Sequence, residues 1–192
     1  MLAPILHRLG RKIRQMGSEG GAAAVEFALV LPIMLLVYVG TLEASTLITM
    51  DRKVQSVAGA VGDLVARADE RITASQMQDL FRAASGIMTP YSPTQVRQVV
   101  TAVDVAADGT TTVVWTRQYF NNTYSATTPH TVGRPFPLPA EMADISRDRM
   151  VIAAEAYYTY TPLLGIVIDV PINLYRSNFF MPRFGGDIAL VP

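Results

Sequence analysis

Apolar residues run almost unbroken from Ala22 to Gly40, with Glu26 the single charge among them and Glu43 the next along the chain. Phe27 to Leu42 are 16 uncharged residues. In a helix the two glutamates would lie about 25 Å apart, close to the roughly 30 Å of hydrocarbon that a span must cross. The pattern predicts a membrane-spanning helix over residues 22–44. Pro32 is compatible with it, because membrane helices tolerate proline where neighbouring groups satisfy the freed carbonyl. Further on, Leu47, Met50, Val54, Val57, Ala58, Val61, Leu64, Val65 and Ala68 recur at three- and four-residue steps, so the helix is expected to continue outward. Gly59 and Gly62 weaken that stretch and are expected to mark a bend, the alternative being a close approach of another backbone.

Thr73 is placed to cap a second helix whose apolar face holds Met77, Leu80, Phe81, Ala84, Ile87 and Met88, ending before Pro90. Residues 45–89 are therefore read as extramembrane helices. From residue 90 the pattern changes to strands. Segments 97–105 and 110–120 flank Asp108-Gly109, a strong hairpin signal, and 151–160 with 172–180 form a second candidate pair. In 151–160, Ile152, Ala154, Ala156, Tyr158 and Tyr160 share one face while Glu155 and Thr159 take the other. Helices followed by about four strands predict an α+β fold, with an antiparallel sheet that buries one face against the helical part.

Two connections stand out. Residues 123–139 hold four prolines in a Ser/Thr-rich run, which argues against regular structure, and loops of that length are functional or disordered. Residues 161–171, TPLLGIVIDVP, are apolar although they join two strands. The first expectation is that this connection tucks into the core. Otherwise Leu163, Leu164, Ile166 and Val167 form an exposed patch that touches lipid or a partner.

Half of the chain's 192 residues are apolar and 17% are charged, which excludes a disordered chain and suits a membrane-attached one. The 16 basic and 16 acidic residues cancel, yet residues 1–21 hold Arg8, Arg11, Lys12 and Arg14 against Glu19 alone. The positive-inside bias places this basic leader in the cytoplasm and the bulk of the chain across the membrane. The remaining body is net acidic, which disfavours nucleic acid as a partner. There is no cysteine, hence no disulfide framework or thiolate chemistry.

Glu26 is the anomaly. A carboxylate at the centre of a bilayer costs about 2.5–3.5 kcal/mol on insertion scales, so an intramembrane glutamate is read first as functional. A secretory signal peptide would leave it unexplained. The only cleavage candidate, after Ala44, sets Leu42 where a small residue is wanted, and the helical pattern runs on through it. A plain uncleaved anchor leaves it unexplained as well. The stretch GAAAVEF at residues 21–27 resembles the type IV prepilin class: a glycine, four small or apolar residues, then glutamate and an aromatic. The wider string GAAAVEFALVLPIMLLVYVGTLEAS, with Pro32 and Glu43, resembles the TadE-like pseudopilins of tight-adherence (Flp) pilus systems. DLVA at 63–66, LFRAAS at 80–85 and TPLLG at 161–165 are similar to that family only loosely.

The resemblance implies a pilin-like layout and cleavage by a prepilin peptidase after Gly21, leaving Ala22 as the first mature residue and Glu26 as the fifth, ahead of Phe27. It also implies that Glu26, Pro32 and Glu43 serve helix register and assembly. The partners it implies are the peptidase, pilin and sister pseudopilins, and the assembly platform of a bacterial inner membrane, with the C-terminal domain periplasmic. A new amine at Ala22 and the Glu26 carboxylate would neutralise one another where a helix N-terminus already favours negative charge.

Patterns for catalysis are missing. His130 is the one histidine beyond the leader, and one imidazole without cysteine builds no metal cluster. GxSxG, GxxxxGK[ST] and GxGxxG do not occur. Asp63 with Asp69 and Glu70, or Asp144 with Asp148, are read as solvated helix-surface carboxylates. Asn121-Asn122-Thr123 fits a glycosylation sequon, which arises by chance. The sequence therefore predicts no enzyme, no cofactor and no small-molecule substrate. The reading is a minor pseudopilin, and the alternatives are an anchored extracytoplasmic binding or enzymatic domain, or a static scaffold that never enters a filament.

Overall fold

The computed structural model describes the backbone of residues 3–192 and the side chains of residues 21–192; the basic residues of the leader lie outside the described side chains. Helix α1 runs Ala3–Ala66. A three-residue strand β1, Arg71–Thr73, leads into helix α2, Ala74–Ser85. Strands β2 (Arg97–Val105), β3 (Thr111–Phe120) and β4 (Thr123–Ser125) follow. The short helix α3, Ala140–Ile145, precedes β5 (Arg149–Tyr160), β6 (Ile172–Phe180) and β7 (Ala189–Val191). The fold class is α+β, as the pattern predicts.

Two compact units share this chain. One comprises the residues up to Ser45 with Pro162–Asp169, and the other Thr46–Thr161 with Val170–Pro192.

In the larger unit an antiparallel sheet has the order β4-β3-β2-β5-β6. The four predicted strands form its β2, β3, β5 and β6. The fifth, β4, falls inside the segment expected to lack regular structure. Phe120 pairs with Thr123 across Asn121-Asn122, whose φ angles of 49° and 58° are the left-handed geometry of a two-residue hairpin turn. Asparagine tolerates that region better than other side chains, which is why the turn forms where the sequence showed only a sequon. The Asp108 side chain accepts from the Thr110 amide and hydroxyl, and Gly109 takes φ 86°, closing the β2-β3 turn. A second, parallel sheet pairs β1 with β7 in register Ile72 with Leu190. It has no counterpart in the sequence reading, because three-residue strands 118 positions apart carry no local periodicity.

One sheet face packs on α1 and α2. Val54, Val57, Val61 and Val65 of α1 and Met77 and Phe81 of α2 join Val100, Ala102, Trp115, Ile152, Ala154 and Ala156 in a single core. Thr73 caps α2 with a reciprocal capping box to Gln76, and the last apolar turn of the predicted helix, Ile87 and Met88, continues as a 3₁₀ turn. Of the two readings of Gly59 and Gly62, a bend or a close approach, the geometry at Gly62 speaks for the second. α1 is helical through both, and at Gly62 a Cβ would stand 2.5 Å from the Phe180 ring and 2.8 Å from Ala154 Cβ. The glycine marks a close approach, by side chains of β5 and β6 rather than by backbone.

The opposite sheet face is also covered. Val103, Val113 and Ala153 pack with Phe136 and Leu138 of the proline-rich segment. That segment bonds to the sheet through Arg134 O with the Val113 amide and Val113 O with the Gly133 amide. The sheet buries one face against the helices as expected, and the further cover on its second face accounts for the run of buried residues on both sides of β2 and β5.

Candidate functional site

Gly21, Ala22, Glu26 and Phe27 lie in α1, all exposed, and a Cβ on Gly21 would meet nothing within 4 Å. From Val25 to Tyr38 the large apolar side chains stay exposed, as does Leu42; Leu29, for example, is 70% exposed and Ile33 66%. The helix carries Pro32 without interruption and is long and apolar enough to cross a membrane. For a soluble helix this surface would be anomalous, since soluble monomers seldom expose a contiguous patch of such extent. Among the described residues Glu26 joins no ion pair.

Glu43 differs from Glu26 in every respect. It is buried at 3% exposure, and its carboxylate accepts from three successive amides in the same unit: Ile166 at 3.1 Å, Val167 at 3.1 Å and Ile168 at 2.8 Å. Gly165, at φ 64°, supplies the left-handed turn that points these amides inward. Consecutive N–H groups converging on one carboxylate form an anion-binding nest. Val167 packs on Gly40, 3.4 Å from where a Cβ would stand.

The connection 161–171 is thus not a core segment, as first expected. Leu163 is 92% exposed, Ile166 62%, and Leu164 and Val167 about half. The physical reason is that Glu43 takes three successive amides of the loop, so that these N–H groups turn inward while the apolar side chains stay outside. Sequence reasoning had Glu43 and this loop as separate candidates; the structure brings them together.

A second constellation lies in the larger unit, on the sheet face covered by the proline-rich segment. Glu155, 3% exposed, accepts from the hydroxyls of Tyr157 at 3.0 Å and Tyr175 at 2.7 Å on one oxygen, and meets His130 Nε2 at 2.5 Å on the other. Arg97 stacks over Tyr157 at 4.7 Å. Burial first, and then the adjacent carboxylate, raise both tyrosines, Tyr175 to about 12. Sequence placed Glu155 on the outer face and His130 in a loop without linking them. The signal available was a lone glutamate amid eleven other residues of a strand otherwise rich in buried positions. Both Glu155 oxygens are partnered and the carboxylate is buried, so the arrangement fastens the proline-rich segment to the sheet.

Two of the candidate carboxylates, Asp63 and Asp144, form ion pairs. Asp63 binds Arg67 and Arg183, which hold it below the usual carboxylate range, and Asp144 binds Arg147 at 2.7 Å. No group of three or more metal-ligating side chains occurs among the described residues.

Residues 21–62 match the model of a family described as TadE-like protein. The match spans Gly21, Glu26, Pro32 and Glu43, and so covers the exposed apolar part of α1 and its first turns in the larger unit. Comparisons with curated proteins and with solved structures found no match.

Proposed function

We propose that this chain, which carries a TadE-like segment and is thereby associated with the Tad pilus, is a minor pseudopilin of a tight-adherence system. A prepilin peptidase cuts after Gly21. The mature helix from Ala22 to about Ala44 crosses the bacterial inner membrane once, with the leader cytoplasmic and the α+β body periplasmic. Its exposed apolar face packs against the corresponding helices of pilin and sister pseudopilins on the assembly platform. Glu26 sets axial register there, since a charge left unpaired in lipid penalises a helix slipped by one turn.

The observation that carries this reading is the coincidence of the family match with a helix whose large apolar side chains are exposed from Val25 to Tyr38 and whose single intramembrane charge follows Gly21 at the fifth position. N-terminal sequencing of the native protein tests it. The expected first residue is Ala22; a start near Ser45 would identify a discarded leader and end the proposal, and an intact Met1 would leave an uncleaved anchor. Presence in sheared pili separates a filament component from a static scaffold.

A further inference from the structure

We infer that the loop 162–168 is a second membrane contact, an apolar tip seated in the lipid boundary at the outer end of the spanning helix; the inference rests on the spanning reading above. Its occupant is a lipid surface rather than a protein, for three reasons found within one unit of the chain.

Position comes first. Glu43, which holds the loop, follows the last residue of the uncharged stretch and lies about 25 Å along the helix from Glu26, where a span leaves the hydrocarbon. Val167 packs on Gly40, within that stretch. A loop fixed at this level meets the boundary between acyl chains and headgroups without any further rearrangement.

Backbone chemistry comes second. Non-helical backbone is excluded from lipid because its N–H and C=O groups go unpaired there. In this loop Ile166, Val167 and Ile168 give their amides to Glu43. The carboxylate is buried by the interaction, so neither partner faces the lipid bare.

Side-chain composition comes third. Pro162 to Ile168 contain no charge, and the most exposed large apolar residue of the described chain, Leu163, is at the tip. Amphipathic helices bury their apolar faces about 5–10 Å into the headgroup boundary, and an apolar loop fixed at this level reaches the same layer. A protein partner would more usually be met by aromatic and arginine anchors, and this loop has neither.

The absence of cysteine makes the test direct. Leu163→Cys, Met34→Cys and Glu141→Cys variants of the full chain, labelled with an environment-sensitive fluorophore, are reconstituted in vesicles of phosphatidylethanolamine and phosphatidylglycerol. Position 34 reports on the span and exposed position 141, on α3, on water. The expected result is that the probe at 163 is quenched by headgroup-linked nitroxide lipids and several-fold less by aqueous iodide than the probe at 141. Adding Glu43→Ala should restore iodide quenching at 163 while leaving 34 protected. Iodide quenching at 163 equal to that at 141, with 34 shielded, overturns the lipid contact alone. If 34 is accessible as well, the span and the loop contact fall together. Shielding at 163 that rises with protein density, or appears only with added pilin, assigns the loop to a second copy or a protein partner and also overturns the inference.

Discussion

His130 Nε2 stands 2.5 Å from Glu155 Oε2, joining the proline-rich segment to the middle of β5 across 25 residues of sequence. His130 also packs on Phe136, ring centroids 4.6 Å apart, so one residue links the polar fastening to the apolar cover of the sheet. Removing one partner of a buried polar pair leaves the other with an uncompensated desolvation penalty, about 1–3 kcal/mol where further hydrogen bonds remain. Here both tyrosines remain. His130→Ala is therefore expected to lower stability by about that amount in denaturant unfolding of the full chain in detergent, and to expose residues 126–135 to protease. Unchanged stability and protection would show that the fastening contributes nothing.

Tyr175 gives the same cluster a pH signature. Its hydroxyl donates to Glu155, and its pKa is raised from 10.0 to about 12 by burial and by that carboxylate. The folded state holds the proton more tightly than the unfolded state. The stabilisation is therefore complete below pH 10 and is lost as pH rises from 10 towards 12. Unfolding measured across that alkaline range should steepen, and Tyr175→Phe should flatten the dependence; an unchanged slope in the variant would remove Tyr175 as its source.

Gly62 and Gly59 make a matched pair on α1. A Cβ at Gly62 collides with Phe180 and Ala154, whereas at Gly59 the nearest atom is Asn178 Nδ2 at 3.8 Å. Gly62→Ala should cost about 1–3 kcal/mol through overpacking. Gly59→Ala should stabilise by up to about 1 kcal/mol through helix propensity. Thermal unfolding of the two variants should move Tm in opposite directions; a shared sign would mean that Phe180 gives way or that the helix is strained at both.

Elements carried by short-range periodicity were legible from the sequence: the apolar stretch of α1, the capped α2 and the four longer strands. The capping box was half visible, Thr73 being named and Gln76 not. What escaped was chemistry between distant segments. Trp115 Nε1 donates to Ile188 O, the Arg183 amide to Ala66 O and the Ala189 amide to Glu70 O, stitching the C-terminal tail to β3, to the end of α1 and to the turn after it, and none of these leaves a local pattern. The same holds at the candidate site. Glu43 and Ile168 are 125 residues apart, and only the fold shows that an apolar connection stays outside the core because a glutamate takes its amides. The hairpin at Asn121-Asn122 is the one local signal that was present and read otherwise.

The proposed cut after Gly21 can be tested without disturbing the fold. Gly21 has open space around it and Glu26 is exposed, so no packing within the described chain depends on either side chain. Glycine is also a poor helix former, and Gly21→Leu gains intrinsic helix propensity, up to about 1 kcal/mol. A precursor that accumulates in membranes from this variant would therefore reflect a blocked cut and not misfolding, while normal maturation would move the cut elsewhere. Glu26→Ala removes the one charge within the span, so membrane insertion should be preserved or improved. If the carboxylate sets register against a neighbouring amine, piliation should nevertheless fall. Membrane fractionation and sheared-pilus yield, measured on the same cells, separate the two effects. Wild-type pili from Glu26→Ala would leave the charge without the register role assigned to it.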